Sequence, residues 1–315
     1  MICQLHKPIL VTMTSKLSRR SLVQGVLAAG AAGALSRAES FAAALPKNIV
    51  RIDGVQLAIA TICVDGFGMH RHEPGFRIIP DLGFTNVEFN LWYSELITPR
   101  YIESIQARCY QTGLTPVSIQ ASSFGGQGDA GIAKDLAHKL VLLDACKELG
   151  ATILKCTGAR RGTNGGLESV IEVLKHLAPA AEDKGIVVVL ENHANNVLER
   201  IEDYEEIFSV IDSPNVGMCL DTGHFEGVAI DLREVVDTFH ERILHVDLKD
   251  CKERGKGHET VLFGTGVTDF EAFLSHLMRK DYQGYLVVEQ AWSEPRGDWV
   301  NDLKAAYKLF KKWER

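Results

Sequence analysis

Eight short runs of apolar, mostly β-branched residues alternate with segments of helical periodicity, and this alternation constrains the fold more than any other feature. Such an alternation is typical of a parallel sheet covered by helices. The predicted strands are 57–64, 86–91, 115–121, 151–157, 186–191, 216–221, 243–248 and 285–289. Eight strand–helix units within about 270 residues match a closed barrel better than two open domains. We therefore predict an α/β protein with a single (β/α)8 TIM barrel.

The helix predicted at 130–149 is the clearest of the intervening segments. Its apolar residues, such as Leu136, Leu140 and Leu143, recur at intervals of three or four, as one face of an α-helix requires. Gly150 follows at the position where helices commonly end.

The first 45 residues have a different organisation from the rest of the chain. Arg19 and Arg20 precede an apolar run rich in Gly and Ala at 22–35, and an Ala-rich stretch follows at 41–44. The run is too short to span a bilayer, which needs about 20 strongly apolar residues. We predict a twin-arginine export signal at 1–45, a barrel at 46–315, a periplasmic or otherwise extracytoplasmic location, and no stable membrane insertion. A disordered or amphipathic extension is the alternative.

The charge balance bears on the partners of the protein. The formal net charge is −7, and it becomes −11 without the signal, because five of the 34 basic and one of the 41 acidic residues leave. An acidic protein has no electrostatic reason to bind a phosphate backbone, so we expect no nucleic-acid partner. The sequence leaves the oligomeric state open, and a homo-oligomer stays an alternative to a monomer.

Charged residues close several consecutive predicted strands, and in a barrel of this kind the active site is built at the carboxyl ends of the strands. The residues concerned are Glu191, Asp221, His245 and Glu289. Carboxylates that converge at one rim repel each other unless they share protons or bind a cation. Three carboxylates and an imidazole suit a hard or borderline divalent ion. A solvated cluster of acids is the alternative.

Longer motifs surround these positions. They are Leu-Glu-Asn-His at 190–193, Asp-Thr-Gly-His at 221–224, His-Val-Asp-Leu-Lys-Asp at 245–250 and Gly-Thr-Gly at 264–266. With them the chain resembles the sugar phosphate isomerase/epimerase family of xylose isomerase-like barrels, over nearly the whole predicted barrel. The motifs are specific for this superfamily and poorly specific for any one activity within it.

The resemblance implies a site. One divalent metal ion would be held by Glu191, Asp221, His245 and Glu289, with Mn2+ preferred over Mg2+, Co2+ and Zn2+. Residues assigned to substrate binding are His224, His193, Lys249 and Glu88. Three of these have structural alternatives, since His193 could serve as a hydrogen-bonding residue behind the metal ligands, Lys249 could pair with Asp250, and Glu88 could be a structural carboxylate.

Such a site suggests proton abstraction next to a carbonyl. A metal that grips two neighbouring oxygens would stabilise an enediolate, while Glu191 and Glu289 act as base and acid on opposite sides of the substrate. The predicted function is therefore a metal-dependent isomerase or epimerase that acts on a small-molecule sugar or polyol.

Three other functions are weighed against this prediction. A lyase, either a dehydratase or a glycoside-eliminating enzyme acting on a keto-sugar, would use the same metal site and the same enediolate. A metal-dependent endonuclease is disfavoured by the negative charge. A non-catalytic carbohydrate-binding protein is the most remote reading, because the predicted metal set is intact.

Overall fold

The computed structural model describes residues 52–68, 71–125, 128–292 and 297–315. The predicted twin-arginine signal at 1–45 lies outside these ranges, so the export signal stays a prediction. No helix in the described ranges is long and apolar enough to cross a membrane.

Eight parallel strands close into a barrel, in which β1 pairs with β2 on one side and with β10 on the other. The barrel strands are β1 (Val55–Ala60), β2 (Asn86–Asn90), β3 (Thr115–Gln120), β4 (Ile153–Thr157), β5 (Val187–Glu191), β6 (Val216–Asp221), β7 (Ile243–Leu248) and β10 (Gly284–Val288). A separate antiparallel pair follows β7, formed by β8 (Asp250–Cys251) and β9 (Thr260–Val261). The predicted single-domain barrel is confirmed.

Helices follow the strands and cover the barrel. They are α1 (Ile62–Asp65), α2 (Glu73–Leu82), α3 (Pro99–Thr112), α4 (Gly128–Leu149), α5 (Gly166–Lys184), α6 (Ile201–Val210), α7 (Thr222–Gly227), α8 (Leu232–Phe239), α9 (Phe270–Arg279) and α10 (Trp299–Lys311), with a short 3-10 helix at Ser94–Leu96. The helix predicted at 130–149 is α4. The side chain of Thr98 accepts a hydrogen bond from the backbone of Tyr101 at the start of α3.

The first predicted strand is too long. β1 ends at Ala60, and the chain then turns into the short helix α1. Ile62, Cys63 and Val64 are all buried. A continuous buried apolar run has no periodicity that separates a strand from a helix. For this reason the strand predicted from the sequence extended to residue 64.

The interior of the barrel changes character along its axis. Small and β-branched side chains fill one part, among them Ala58, Val117, Val189 and Val287. Toward the carboxyl ends of the strands the inward positions become charged, with Lys155 on β4, Glu191 on β5 and Asp221 on β6. The sheet therefore places a charged layer on an apolar one, at the end where barrels of this type carry their sites.

Candidate active site

A cavity of about 490 Å³ opens at the carboxyl ends of the strands. Glu191, Lys249 and Glu289 line it, together with Gln120, Phe67 and Trp92 from the first strands and loops. The imidazoles of His193, His224 and His258 line it as well. Five residues that the sequence assigned to the site thus meet at one cavity. They are Glu191, His193, His224, Lys249 and Glu289.

Four carboxylates converge beside the cavity, and they are not quite the set that the sequence predicted. Oxygens of Glu191, Asp221, Asp247 and Glu289 lie within 4.8 Å of one another. The place predicted for His245 in this group is taken by Asp247. Alternate residues of a strand face the same side, so His245 faces inward like Asp247 but one repeat deeper in the barrel.

His245 belongs to a different group of side chains. It is fully buried, clusters with Cys219 and Asp247, and its Nε2 lies 3.2 Å from Glu88 Oε2. Burial lowers the pKa of His245, although Glu88 opposes this effect. The imidazole therefore packs as a neutral side chain below the four carboxylates.

Glu88 also lies deeper than the prediction required. It is fully buried and absent from the described lining of the cavity. Its Oε1 lies 2.6 Å from Lys155 Nζ, and its Oε2 accepts a hydrogen bond of 2.7 Å from the hydroxyl of Ser118. The assignment of Glu88 to substrate binding does not fit this position, because its carboxylate is used entirely within the barrel.

Lys155 is the centre of the charged layer, and the sequence analysis missed it. Its Nζ lies 2.6 Å from Glu88, 2.7 Å from Asp247, 2.7 Å from Glu289 and 3.9 Å from Glu191. Burial alone would lower the pKa of this ammonium, but the surrounding carboxylates raise it well above its usual value. Lys155 is therefore charged, and it stabilises acids that would otherwise repel each other.

Lys249 supplies a second ammonium, at the cavity surface. Its Nζ lies 2.6 Å from Asp221 Oδ2 and 2.9 Å from Glu289 Oε1. Lys249 therefore pairs with these two residues and does not make the predicted alternative pair with Asp250. The carboxylate of Asp250 instead accepts hydrogen bonds from the backbone of Gly264, Gly266 and Thr268.

The two glutamates at the cavity have unlike environments. Burial raises the pKa of Glu191 to about 8, although Lys155 acts in the opposite direction. Burial also acts to raise the pKa of Glu289, but the ammonium groups of Lys155 and Lys249 outweigh it and hold that pKa well below its usual range. In the metal-free protein the two carboxyl groups thus favour opposite protonation states at neutral pH.

A chain of amides positions Glu191. Gln120 Nε2 donates a 3.1 Å hydrogen bond to Glu191 Oε2, and its Oε1 accepts from Asn90 Nδ2. Asn90 Oδ1 in turn accepts a 2.7 Å hydrogen bond from the hydroxyl of Thr61. Side chains from β2 and β3 therefore fix the orientation of the carboxyl group on β5.

The four convergent carboxylates have the charge and the ligand atoms of a divalent-metal site. Five buried acids, Glu88, Glu191, Asp221, Asp247 and Glu289, face two ammonium groups, so the fully ionised cluster has excess negative charge. Asp247 Oδ1 is buried and has no hydrogen-bond partner among the described residues. Carboxylate oxygens are the ligands that hard divalent cations prefer. The residues present fit such an ion.

Asp247 and Lys155 could have been found from the sequence. Asp247 is two residues after His245 in the same motif, so strand alternation puts both on one face. Lys155 interrupts the apolar run Ile-Leu-Lys-Cys-Thr at 153–157, and a lysine at an inward strand position needs acidic partners. Aromatic residues near the strand ends do not identify the cavity lining in the same way. Phe67 and Trp92 line the cavity, whereas Phe124 and Trp292 are buried.

A closed parallel barrel with a cluster of acids at the carboxyl ends of its strands is typical of (β/α)8 barrel enzymes, whose active sites lie at this end. The model of the xylose isomerase-like TIM barrel family matches residues 76–313. The chain therefore belongs to that family, as the motifs at 190–193 and 221–224 predicted.

Individual proteins give a finer comparison. The inosose dehydratase of Glaesserella parasuis serovar 5 is 25% identical over 243 residues, which are 66% of this chain and 78% of that protein. Several other inosose dehydratases match over only 44–46% of their own length.

Solved structures agree with the fold. The D-allulose 3-epimerase from Methylomonas sp. in complex with D-allulose has a TM-score of 0.71 at 16% identity, covering 84% of this chain and 99% of that one. The IOLI protein with a binding zinc atom has a TM-score of 0.65 at 20% identity, covering 82% of this chain and 96% of that one. Identities this low establish the fold alone.

Membership of this family and the inosose dehydratase relatives indicate an enzyme of the isomerase, epimerase or lyase type, and the prediction is confirmed at that level. The convergent carboxylates make a divalent metal a fitting cofactor, and they do not determine which ion.

Proposed function

We propose that the protein abstracts a proton next to the carbonyl of a sugar or related polyol and returns it elsewhere, as an isomerase or epimerase. One observation carries this proposal. Glu191 on β5 and Glu289 after β10 line the same cavity, the first held by a neutral amide and the second by two ammonium groups. Two carboxyl groups with unlike surroundings on one cavity can divide the roles of acid and base.

Glu289 is the base in this scheme. Its carboxylate is kept ionised by Lys155 and Lys249, and it reaches the cavity where a substrate carbon would lie. In an epimerisation Glu191 delivers its proton to the opposite face of the same carbon. In an isomerisation Glu191 protonates the carbonyl oxygen, Glu289 then returns the abstracted proton to the former carbonyl carbon, and Glu191 takes a proton from the neighbouring hydroxyl. When bound, a divalent cation supplies positive charge to the oxygens on which the enediolate charge develops.

The predicted identity of the metal, Mn2+, is kept, with Mg2+ as the next choice. Because Asp247, and not the predicted His245, joins the other three residues, all four convergent ligands are carboxylates. An oxygen-only ligand set favours hard ions such as Mg2+ and Mn2+, whereas Zn2+ is bound more often through nitrogen and sulfur.

The cavity supports a neutral substrate. Among its described lining residues, Lys249 alone carries a cationic side chain, and that ammonium is paired with Asp221 and Glu289. A phosphate group would find no free positive charge there. Trp92 and the half-exposed Phe67 offer apolar faces against which the carbon side of a sugar ring could pack.

Dehydration is the second candidate function, and the inosose dehydratases among the relatives favour it. The first step is the same abstraction by Glu289. The protonated Glu191 would then deliver its proton to a departing β-hydroxyl. Dehydration therefore differs from epimerisation in the atom that receives the proton from Glu191.

A screen in deuterated buffer tests both candidates. Free sugars, keto-sugars, keto-cyclitols and glycosides are incubated with the Mn2+-loaded protein, and products are followed by NMR. We expect deuterium at the carbon next to the carbonyl in an epimer and in recovered substrate, whereas an elimination product should have lost the hydrogen at that carbon. An epimer without deuterium at the inverted carbon, or an elimination product that still carries the original hydrogen there, would contradict proton abstraction.

We further propose that the protein is exported by the twin-arginine route. The proposal is supported by the sequence of features at the start of the chain, in which Arg19-Arg20 is followed by an apolar run and then by an Ala-rich stretch. This route moves folded proteins, so the metal could be loaded before export. Replacing both arginines with lysine should retain the protein in the cytoplasm, as measured by cell fractionation. Unchanged export of the double variant would contradict the proposal.

A further inference from the structure

The three histidines at the cavity form a group of their own, distinct from the carboxylates. Ring nitrogens of His193, His224 and His258 lie within 4.8 Å of one another. The ring centroids are 3.7 Å apart for His193 and His224, 4.6 Å for His224 and His258, and 5.0 Å for His193 and His258. We propose that these imidazoles hold a second metal ion, Zn2+ or a similar borderline first-row ion, at the mouth of the cavity. The proposal does not depend on the proposed function.

The distances are close to those of a three-histidine site. With Zn–N bonds of about 2.0–2.1 Å and tetrahedral angles, ligand nitrogens lie about 3.3 Å apart. The ligand nitrogens of each pair therefore need to approach by no more than about 1.5 Å. Three imidazoles leave one tetrahedral position open, and because all three line the cavity, that position is available to water or to an oxygen of the substrate.

The hydrogen bonds of two of the rings are compatible with metal binding. His193 Nδ1 lies 3.0 Å from the carbonyl oxygen of Ala194, so Nδ1 carries the proton and Nε2 keeps a free lone pair. A backbone carbonyl in this role commonly fixes the tautomer of a metal-binding histidine. The backbone N–H of Ala194 donates a long, 3.4 Å hydrogen bond to His224 Nδ1. A metal bound to His224 would replace this weak contact.

The backbone holds His258 against the helix that carries His224. Gly257 donates a 2.9 Å hydrogen bond to the carbonyl of Gly227, and Gly255 donates one of 2.9 Å to the carbonyl of Glu226. A Cβ atom on Gly227 would lie 2.7 Å from the carbonyl oxygen of Gly257, so only glycine permits this approach. Although His258 is exposed, its position relative to α7 is therefore fixed by the fold.

The carboxylates and the histidines differ in ligand type, which makes them separable. The oxygen group suits Mn2+ or Mg2+, and the nitrogen group suits Zn2+ or Co2+. His224 is common to both neighbourhoods, since one of its nitrogens also lies within 4.8 Å of Glu191 and Asp221 ligand oxygens. For this reason His258 and His193, and not His224, are the residues to change.

The experiment measures metal stoichiometry and Co2+ spectra on the untagged protein after chelator treatment. We expect two Co2+ ions per chain in the wild type, with the visible absorption of a four-coordinate nitrogen-rich site. His258→Ala and His193→Ala should each lose one equivalent and that absorption. The matched control is His176→Ala, which removes an exposed histidine on α5 and should still bind two.

The outcomes separate this proposal from the carboxylate site. Asp247→Asn, or Glu191→Gln should that variant not fold, is expected to lose the other equivalent and keep the Co2+ absorption. If the wild type and His258→Ala bind the same number of ions with the same spectrum, the histidine site is overturned and the carboxylate site stands. A single ion lost only in the histidine variants would support the histidine site and contradict metal binding by the carboxylates. Absence of any bound ion would overturn both.

Discussion

Two neighbouring regions of the barrel use the same chemistry and differ in what can reach them. The deep layer consists of Glu88, Lys155 and His245, all fully buried and absent from the described cavity lining. Asp221 and Asp247, which belong to the four convergent carboxylates, lie at the boundary between the two regions. The cavity floor consists of Glu191, Lys249 and Glu289, which are equally rich in charge and line the cavity. Lys155 joins the two regions through its contact with Glu289.

The comparison separates structural from chemical roles for the same residue types. A charged side chain in the deep layer can be neutralised only by its neighbours, so removing one partner leaves a buried charge uncompensated. A side chain on the cavity floor can also meet water, substrate or a metal ion. Changes in the deep layer should therefore be felt first in stability, and changes on the cavity floor first in activity.

The largest effect is expected on the cavity floor, for Glu289→Gln. The amide keeps an oxygen but cannot accept the substrate proton, so activity should fall roughly a hundred-fold or more. The measurement is exchange of the substrate proton with deuterated solvent at saturating metal. If Glu289→Gln and Glu191→Gln both exchange at the wild-type rate, neither glutamate is the base, and His224 becomes the next candidate.

Lys155→Met tests the deep layer. Removal of the ammonium leaves Glu88 and Asp247 without their cation, and breaking a buried pair of this kind costs about 3–5 kcal/mol. Urea unfolding of the chelator-treated protein measures the loss. Lys249→Met is the matched control, and its loss should be smaller because its partners lie next to the cavity. Equal losses for the two variants would remove the distinction between the regions.

Asp221→Asn tests the boundary between the two regions. Asp221 belongs to the four convergent carboxylates, and its Oδ1 accepts a 2.9 Å hydrogen bond from the backbone N–H of His224. We expect metal affinity to fall by at least about 10–100-fold, the range for changes to groups around a metal. Added Mn2+ should restore part of the activity, which it should not do for Glu289→Gln. Equal rescue of the two variants would contradict the division of roles.

The smallest effect concerns a buried acid outside both regions. Asp65 on α1 forms no ion pair among the described residues, and burial raises its pKa to about 7. An acid whose folded pKa is raised stabilises the fold below its unfolded pKa of about 3.9 and loses this contribution as the pH rises through the folded value. Between pH 6 and pH 8 the wild type should lose about 1–2 kcal/mol relative to Asp65→Asn.

Denaturant unfolding of both proteins at several pH values checks this expectation. A difference in unfolding free energy that does not change with pH would show that Asp65 is ionised in the fold at all of them. The charge cluster contributes equally to both proteins, so the comparison isolates Asp65.

The barrel and the glutamates were predictable because their signals are local. β-branched runs mark the strands, and Glu191 and Glu289 each stand at the end of one. The depth of a side chain is not a local property. His245 and Asp247 face the same way, and which of them reaches the convergent carboxylates depends on strand tilt and on the register with β6, where the pairing shifts between Met218 and Cys219.

Lys155 and His258 show two further limits of the sequence. The role of Lys155 depends on carboxylates 36 to 134 residues away in the chain, whose approach only the closed barrel reveals. His258 lies in a loop without a strand or helix pattern, and its position depends on the contact between Gly227 and Gly257. Pairing between glycines leaves no periodic signal in the sequence.

The origin of the partners of Lys155 also bears on how the chain folds. Its contacts come from β2, β7 and the residue that follows β10, while Lys155 itself is on β4. A partly assembled sheet that lacks β10 would hold this ammonium with one partner missing and would leave the edges of β1 and β7 unpaired. Long-range pairing of this kind is slow to form, because loop-closure entropy is lost before the contacts are gained. Closure of the barrel therefore also completes the neutralisation of the ammonium inside it.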